Sequence, residues 1–170
     1  MILDGTVIWL TGLAGSGKST IGRELYKRIK EKQNNIVYLD GDDLRDILGH
    51  YEYSKKDRIE LALKRSKIAQ FLSSQGISVI VTTISMFNEI YIYNRENIRL
   101  YKEIYINCAL DELINRDQKS LYSNAINNKI KNVIGIDIAF DTPNAGLTID
   151  NSKTDNLDKK IELILSYLSK

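Results

Sequence analysis

The sequence predicts an α/β protein: a mostly parallel sheet of about five strands with helices on both faces, a three-layer arrangement. Three observations predict it. Short apolar runs alternate along the chain with longer segments of helical periodicity. The first run leads into a glycine-rich loop and then a helix, the order expected where a parallel strand delivers a loop to the edge of its sheet. The chain has 170 residues, 43% hydrophobic and 27% charged, enough to fill one domain over 1–170.

The first strand is expected near 6–11, where Val7-Ile8-Trp9-Leu10 reads as a strand buried on both faces. A helix follows near 17–33, with Ile21, Leu25, Arg28 and Ile29 at helical spacing. Ile36-Val37-Tyr38-Leu39 predicts a second strand near 36–40, ending in Asp40-Gly41-Asp42-Asp43. A short helix is expected near 43–48, with Asp43 in the capping role. Ser54 and Asp57 resemble a capping box, with Asp replacing the usual Glu, and open a helix near 55–75. Strands near 77–83, 103–108 and 146–150 alternate with helices near 88–98, 110–117 and 156–169. The last helix gathers Leu157, Ile161, Ile164, Leu165 and Leu168 on one face, which predicts core. Gln118 to Asn144 is the least regular stretch and holds the only proline, Pro143; its length predicts a lid.

Composition narrows the function. The net charge of +2 argues against a nucleic-acid polymer as partner. The single cysteine, Cys108, cannot form an internal disulfide and sits in an apolar run, which fits a buried thiol in a reducing, cytoplasmic setting. No signal peptide and no run of membrane-spanning length is read from the sequence.

The chemistry is carried by Gly12-Leu13-Ala14-Gly15-Ser16-Gly17-Lys18-Ser19-Thr20. Two glycines four residues apart, followed by Lys and Ser, form the phosphate-loop pattern. Its N–H groups converge on an anion at the start of a helix, where the helix dipole adds positive charge. Lys18 is placed to reach the outer phosphates of ATP, and the Ser19 hydroxyl to ligate Mg²⁺. Asp40 and Asp42, emerging from the neighbouring strand, face the same site. Either can accept a proton from an attacking hydroxyl, and Asp42 can hold Mg²⁺ through water. Arg58, Leu61 and Arg65 share one face of the helix near 55–75, and Arg45 follows the aspartates; arginine forks suit phosphate-like anions. Arg65 is balanced between this role and a solvated charge. His50 is assigned none.

Two other phosphate-loop classes fit poorly. A regulatory GTPase needs Asn-Lys-x-Asp, and the nearest string, Asn151-Ser152-Lys153-Thr154-Asp155, has one residue too many. Motor ATPases carry an acid at the end of a later strand; Val79-Ile80-Val81-Thr82-Thr83 runs into Ile84-Ser85 without one. A small-molecule kinase remains. A degenerate kinase fold that senses nucleotide without catalysis is the alternative.

These residues resemble the adenylylsulfate kinases, which use ATP to phosphorylate the ribose 3′-hydroxyl of adenylyl sulfate. The likeness covers nearly the whole chain. It runs through residues 12–20, Leu39-Asp40-Gly41-Asp42-Asp43-Leu44-Arg45, Asp57-Arg58, Ile84-Ser85, Arg116-Asp117-Gln118-Lys119-Ser120-Leu121-Tyr122 and Gly135-Ile136-Asp137. The resemblance implies a phosphate-loop kinase fold, Asp40 and Asp42 at the reacting hydroxyl, and Arg45, Arg58 and Lys119 on the acceptor. It also implies a homodimer, and places Ser85 at the family's phosphoserine position. The departures fall on base-reading positions: Leu61 stands for the family's Asn, and Val133 for an aromatic that stacks on adenine. Met86-Phe87-Asn88 replaces Pro-Tyr-Arg, and Lys119-Ser120-Leu121-Tyr122 replaces Lys-Gly-Leu-Tyr. This pattern resembles a capsule-biosynthesis offshoot of the family whose acceptor is cytidine diphosphoramidate. The sequence favours that acceptor and leaves adenylyl sulfate as the alternative. Direct in-line transfer needs no covalent role for Ser85.

Overall fold

The computed structural model describes residues 4–49 and 52–169; His50 lies outside the described residues. Five strands form one parallel sheet: β1 (Val7–Thr11), β2 (Ile36–Asp40), β3 (Ser78–Thr83), β4 (Tyr101–Asn107) and β5 (Leu147–Asp150). Their order is β2-β3-β1-β4-β5. The helices are α1 (Lys18–Lys30), α2 (Gly41–Ile47), α3 (Lys55–Ser74), α4 (Asn88–Asn97), α5 (Leu110–Arg116), α6 (Leu121–Ile126) and α7 (Leu157–Leu168).

Alternation along β1 builds the layers. Val7 and Trp9 face one side, with Val79 and Val81 of β3, Ala62 and Ala69 of α3, and Ile90 of α4. Ile8 and Leu10 face the other, with Ile21, Leu25 and Ile29 of α1 and Ile161 and Ile164 of α7. A strand whose first four positions are all apolar is therefore covered twice. The predicted α7 face divides: Ile161, Ile164 and Leu168 are buried, while Leu157 and Leu165 pack at the edge. Arg28 leaves the core face and reaches Glu24, Asp158 and Glu162, tying α1 to α7. Cys108 is buried and free, and burial pushes its thiol upward.

Register sets the site. Thr11 pairs with Thr83, and Asp40 with Thr82, so the carboxyl ends of β1, β2 and β3 finish level. Chemistry in an open parallel sheet collects at that edge.

Three local expectations are corrected. The helix after β2 starts at Gly41, not 43, because Asp40 is its cap: its carboxylate accepts from Asp42 N–H at 3.0 Å. Asp43 lies inside the first turn. Ser54 caps α3 as expected, accepting from Asp57 N–H at 3.2 Å. The stretch after Arg116 is more regular than its composition implies. A single 3-10 turn (Gln118–Ser120) leads into α6, and the Asp117 carboxylate accepts from both Tyr122 N–H and Ser123 N–H. Residues 127–146 hold no helix or strand beyond an isolated bridge between Ile134 and Ile138. They are pinned through Asp137, which accepts from Asn132 and Val133 N–H, and through Asp141, which bonds Met86 and Asn88.

Candidate active site

The loop after β1 is fixed by what takes its carbonyls. Tyr122 Oη donates to Ala14 O at 2.8 Å, Arg116 Nη1 to Gly15 O at 3.2 Å, and Asn151 Nδ2 to Ser16 O at 2.7 Å. A planar peptide that turns its C=O one way turns the next N–H the other way. The amides of Gly15 and Gly17 are thus directed opposite these braces, as an anion cradle requires. Glycine is demanded at two points. A Cβ on Gly12 would sit 2.4 Å from Ile106 O, and one on Gly17, where φ is +90°, 2.3 Å from Asn151 Nδ2. Asn151 is itself fixed. The buried Lys160 Nζ donates to its Oδ1 at 2.7 Å and to Lys153 O, so the amide can only point its NH₂ at the loop.

Lys18, at the start of α1, bends back to Leu13 O at 3.1 Å. Burial lowers its ammonium to about 8, against the opposing pull of Asp42 and Asp40. Asp40 is crowded with donors. Burial pushes its carboxyl up, but bonds from Asp42 N–H and from the Tyr38, Ser19 and Thr82 hydroxyls outweigh this and hold it below the usual carboxylate range. Asp42 differs: its carboxylate is 85% exposed and, among the described residues, its one ion pair is with the Lys119 ammonium, 4.0 Å away.

Opposite the loop stands a basic wall. Arg45 and Arg58 share the Tyr53 ring, with guanidinium carbons 4.4 and 5.2 Å from its centroid. Arg45 donates to Glu52 O, and Arg58 to Tyr53 O and Asn132 O. Burial and the neighbouring Arg45 lower the Arg58 guanidinium. Arg65 lies deeper still, 5% exposed, and is bonded to Gly41 O, Thr83 and Ser85.

One cleft of about 440 Å³ joins these groups. Of the residues the sequence singled out, Ala14, Gly15, Lys18, Ser19, Asp40, Asp42, Arg45, Arg58, Ser85 and Lys119 line it, and so does Arg65, which is buried and not a solvated charge. Gly12, Leu13, Ser16 and Gly17 lie in the loop outside the lining, Thr20 lies in the first turn of α1, also outside it, and Leu61 and Val133 are buried side chains that do not line it. Sequence reading gave no site role to Tyr53, Thr82, Thr83 or Ile134, and quoted Phe87 and Gln118 only within longer motifs; all six also line the cleft. The two threonines had a signal: they stand where β3 ends, level with Asp40 and Thr11. The braces Asn151 and Lys160 had none. Among the described residues no group of three His, Cys, Asp or Glu side chains surrounds a metal position. A hydroxyl and a carboxylate beside a phosphate cradle nonetheless suit Mg²⁺, which keeps most of its ligands as water and substrate phosphate. No described helix is long and apolar enough to cross a membrane.

Comparison with known proteins agrees with this geometry. The chain is 60% identical over 163 residues to the cytidine diphosphoramidate kinase of Campylobacter jejuni, covering 96% of each. It is 40% identical over 166 residues to the adenylyl-sulfate kinase of Pseudomonas aeruginosa, covering 95% of this chain and 84% of that one. Its fold superposes on Mycobacterium tuberculosis APS kinase, solved with AMPPNP and APS, with a TM-score of 0.89 at 28% identity over 99% of both chains. The family model for adenylylsulphate kinase matches residues 4–150, which takes in the whole cleft, and this chain belongs to that family of kinases.

Proposed function

We propose that this chain transfers the γ-phosphoryl group of ATP to the ribose 3′-hydroxyl of cytidine diphosphoramidate, serving capsular phosphoramidate biosynthesis. One observation carries the reading: residues of the phosphate loop, three arginines and the exposed Asp42 line one cleft. The high identity to the Campylobacter enzyme supports the cytidine acceptor.

In this reading the amides of residues 12–20 and Lys18 hold the β- and γ-phosphates and offset the charge that gathers as they separate. Ser19 ligates Mg²⁺, with Asp42 reaching it through water; the ion, when bound, supplies further neutralisation of the phosphates. Asp40 is a poor proton acceptor, since its lone pairs are already engaged. Asp42 takes the proton from the 3′-hydroxyl as the new O–P bond forms, the bond to the β,γ-bridging oxygen breaks and ADP leaves. Arg45, Arg58 and Lys119 hold the anionic groups of the acceptor. Leu61 and Val133 act from behind the lining, by shaping a pocket that lacks the family's amide and stacking ring. Residues 118–144 close over the bound pair and exclude water. The enzyme works in the cytoplasm, in line with its single free cysteine, as one domain per chain, and as a homodimer, the state the resemblance implies.

The test is an ATP-consumption assay with cytidine diphosphoramidate and with adenylyl sulfate, followed by locating the new phosphate on the product. A higher kcat/KM for the cytidine substrate, with phosphate on the 3′-oxygen, is expected. A preference for adenylyl sulfate would instead favour sulfate assimilation, the reading closer to the family model. ATP binding without turnover of any nucleotide would leave only a nucleotide sensor. In the same assay Asp42→Asn is expected to lose about 100-fold or more in kcat while binding ATP normally. Full activity in that variant excludes Asp42 as the proton acceptor.

A further inference from the structure

Arg65 is a buried cation without an ion-pair partner among the described residues. Its hydrogen bonds are to neutral oxygens: Gly41 O at 2.8 Å, Thr83 Oγ1 at 3.1 Å and, more loosely, Ser85 Oγ at 3.5 Å. Its Nε is buried and bonds nothing. The neighbouring charges divide: Arg45 and Arg58 are like charges, and the nearby carboxylates, Asp40 and Asp42, interact with it only through space. A buried guanidinium in that position costs free energy, which a bound anion would offset. Arg65 also lines the cleft, together with Thr83 and Ser85.

Counting protons sharpens this. A guanidinium only donates, so Arg65 makes the Thr83 oxygen an acceptor. Thr83 and Ser85 lie 2.7 Å apart and share one hydrogen bond, in which one hydroxyl donates to the other. Two hydroxyl hydrogens are available and their mutual bond consumes one. The other is left over, on a residue that lines the cleft, with a positive charge directly behind it. The same arrangement disfavours Ser85 as a nucleophile. Among the described residues no base bonds its oxygen, and the nearby guanidinium withdraws electron density from it.

We infer that Arg65, Thr83 and Ser85 form an anion pocket for the phosphate-type group on the acceptor nucleotide, in which Thr83 or Ser85 donates the contact and Arg65 is a positioning residue that orients the pair. This rests on the nucleotide-kinase reading above. A mere brace between α3, α2 and β3 would use the same bonds to Gly41 and Thr83, so the test must separate the two.

Initial rates with ATP are measured for the full chain and for Arg65→Met, Arg65→Lys and Ser85→Ala. The acceptors are cytidine diphosphoramidate, CDP and CMP. Arg65→Met is expected to raise the KM of cytidine diphosphoramidate and CDP by about tenfold or more, with a smaller effect on CMP, which lacks the second anionic group. The ATP KM stays within about twofold, and Arg65→Lys recovers part of the loss. Ser85→Ala raises the acceptor KM severalfold and keeps kcat. Equal changes in acceptor and ATP KM, or equal losses on CMP and CDP, overturn the pocket and leave a brace. Phosphate found on Ser85 during turnover overturns it as well. Should Arg65→Met not fold, Ser85→Ala decides, since it removes one oxygen only; an unchanged acceptor KM there refutes the pocket. Wild-type protein inactive on every nucleotide overturns the kinase reading itself, and is told apart because no variant is needed to see it.

Discussion

Lys18 shows how much of the site is decided by one side chain and its surroundings. The phosphate-loop pattern predicts a lysine at this position, but not that burial would bring it down to about 8. In the unfolded chain the group returns to the ordinary lysine value of 10.5. Between those values the folded state binds fewer protons than the unfolded one. The burial cost is therefore full below pH 8 and is relieved as the pH rises toward 10.5. Bound phosphates reverse the balance and favour the ammonium form. Binding a non-hydrolysable ATP analogue at about pH 8.5 is expected to take up protons, and Lys18→Met to abolish the uptake. Calorimetry in buffers of different ionisation enthalpy measures this, and no uptake by the wild-type protein would contradict the assignment. Asp40 and Asp42 carry a related lesson. The sequence places both at the strand end, but their difference comes from Tyr38, Ser19 and Thr82, of which only Ser19 was singled out by motif.

Among the elements, those with strong periodicity were legible and those held by a single cap were not. β1 and α1 declare themselves through apolar spacing. α6 depends on one carboxylate, Asp117, receiving two N–H groups from the turn ahead of it. The entry to that helix is costly. Asp117, Lys119 and Ser120 have φ of 35°, 57° and 53°, in the left-handed region that favours glycine. The family's Lys-Gly-Leu-Tyr pattern, in which this chain has Ser120 at the glycine position, has its physical reason here. Ser120 is exposed and its side chain bonds none of the described residues, so Ser120→Gly relieves the backbone while losing little else. It is expected to stabilise the protein by about 0.5–1 kcal/mol after the added freedom of the unfolded chain is counted. Thermal unfolding of the two proteins checks this, and a lower midpoint for the variant would refute it.

At the scale of the whole molecule, alternation along the chain was enough to predict a parallel sheet between helices, but not its strand order. β1 sits at the centre, between β3 and β4, because its residues alternate between two apolar layers supplied from distant segments. The same distance hides the braces: Arg116 and Asn151 reach the phosphate loop from 101 and 135 residues away. Lys160, outside the cleft, should therefore act on ATP alone. Lys160→Met frees the Asn151 amide and is expected to raise the ATP KM about three- to tenfold, leaving the acceptor KM unchanged. Steady-state kinetics with each substrate varied in turn will show it, and an equal effect on both would mean general loosening. This distance also imposes a timetable during protein synthesis. A nascent polypeptide halted on the ribosome before residue 151 already contains every glycine of the motif, yet lacks the amide that aims them. Competence to hold a nucleotide therefore waits on residue 151 and does not arrive with the motif itself.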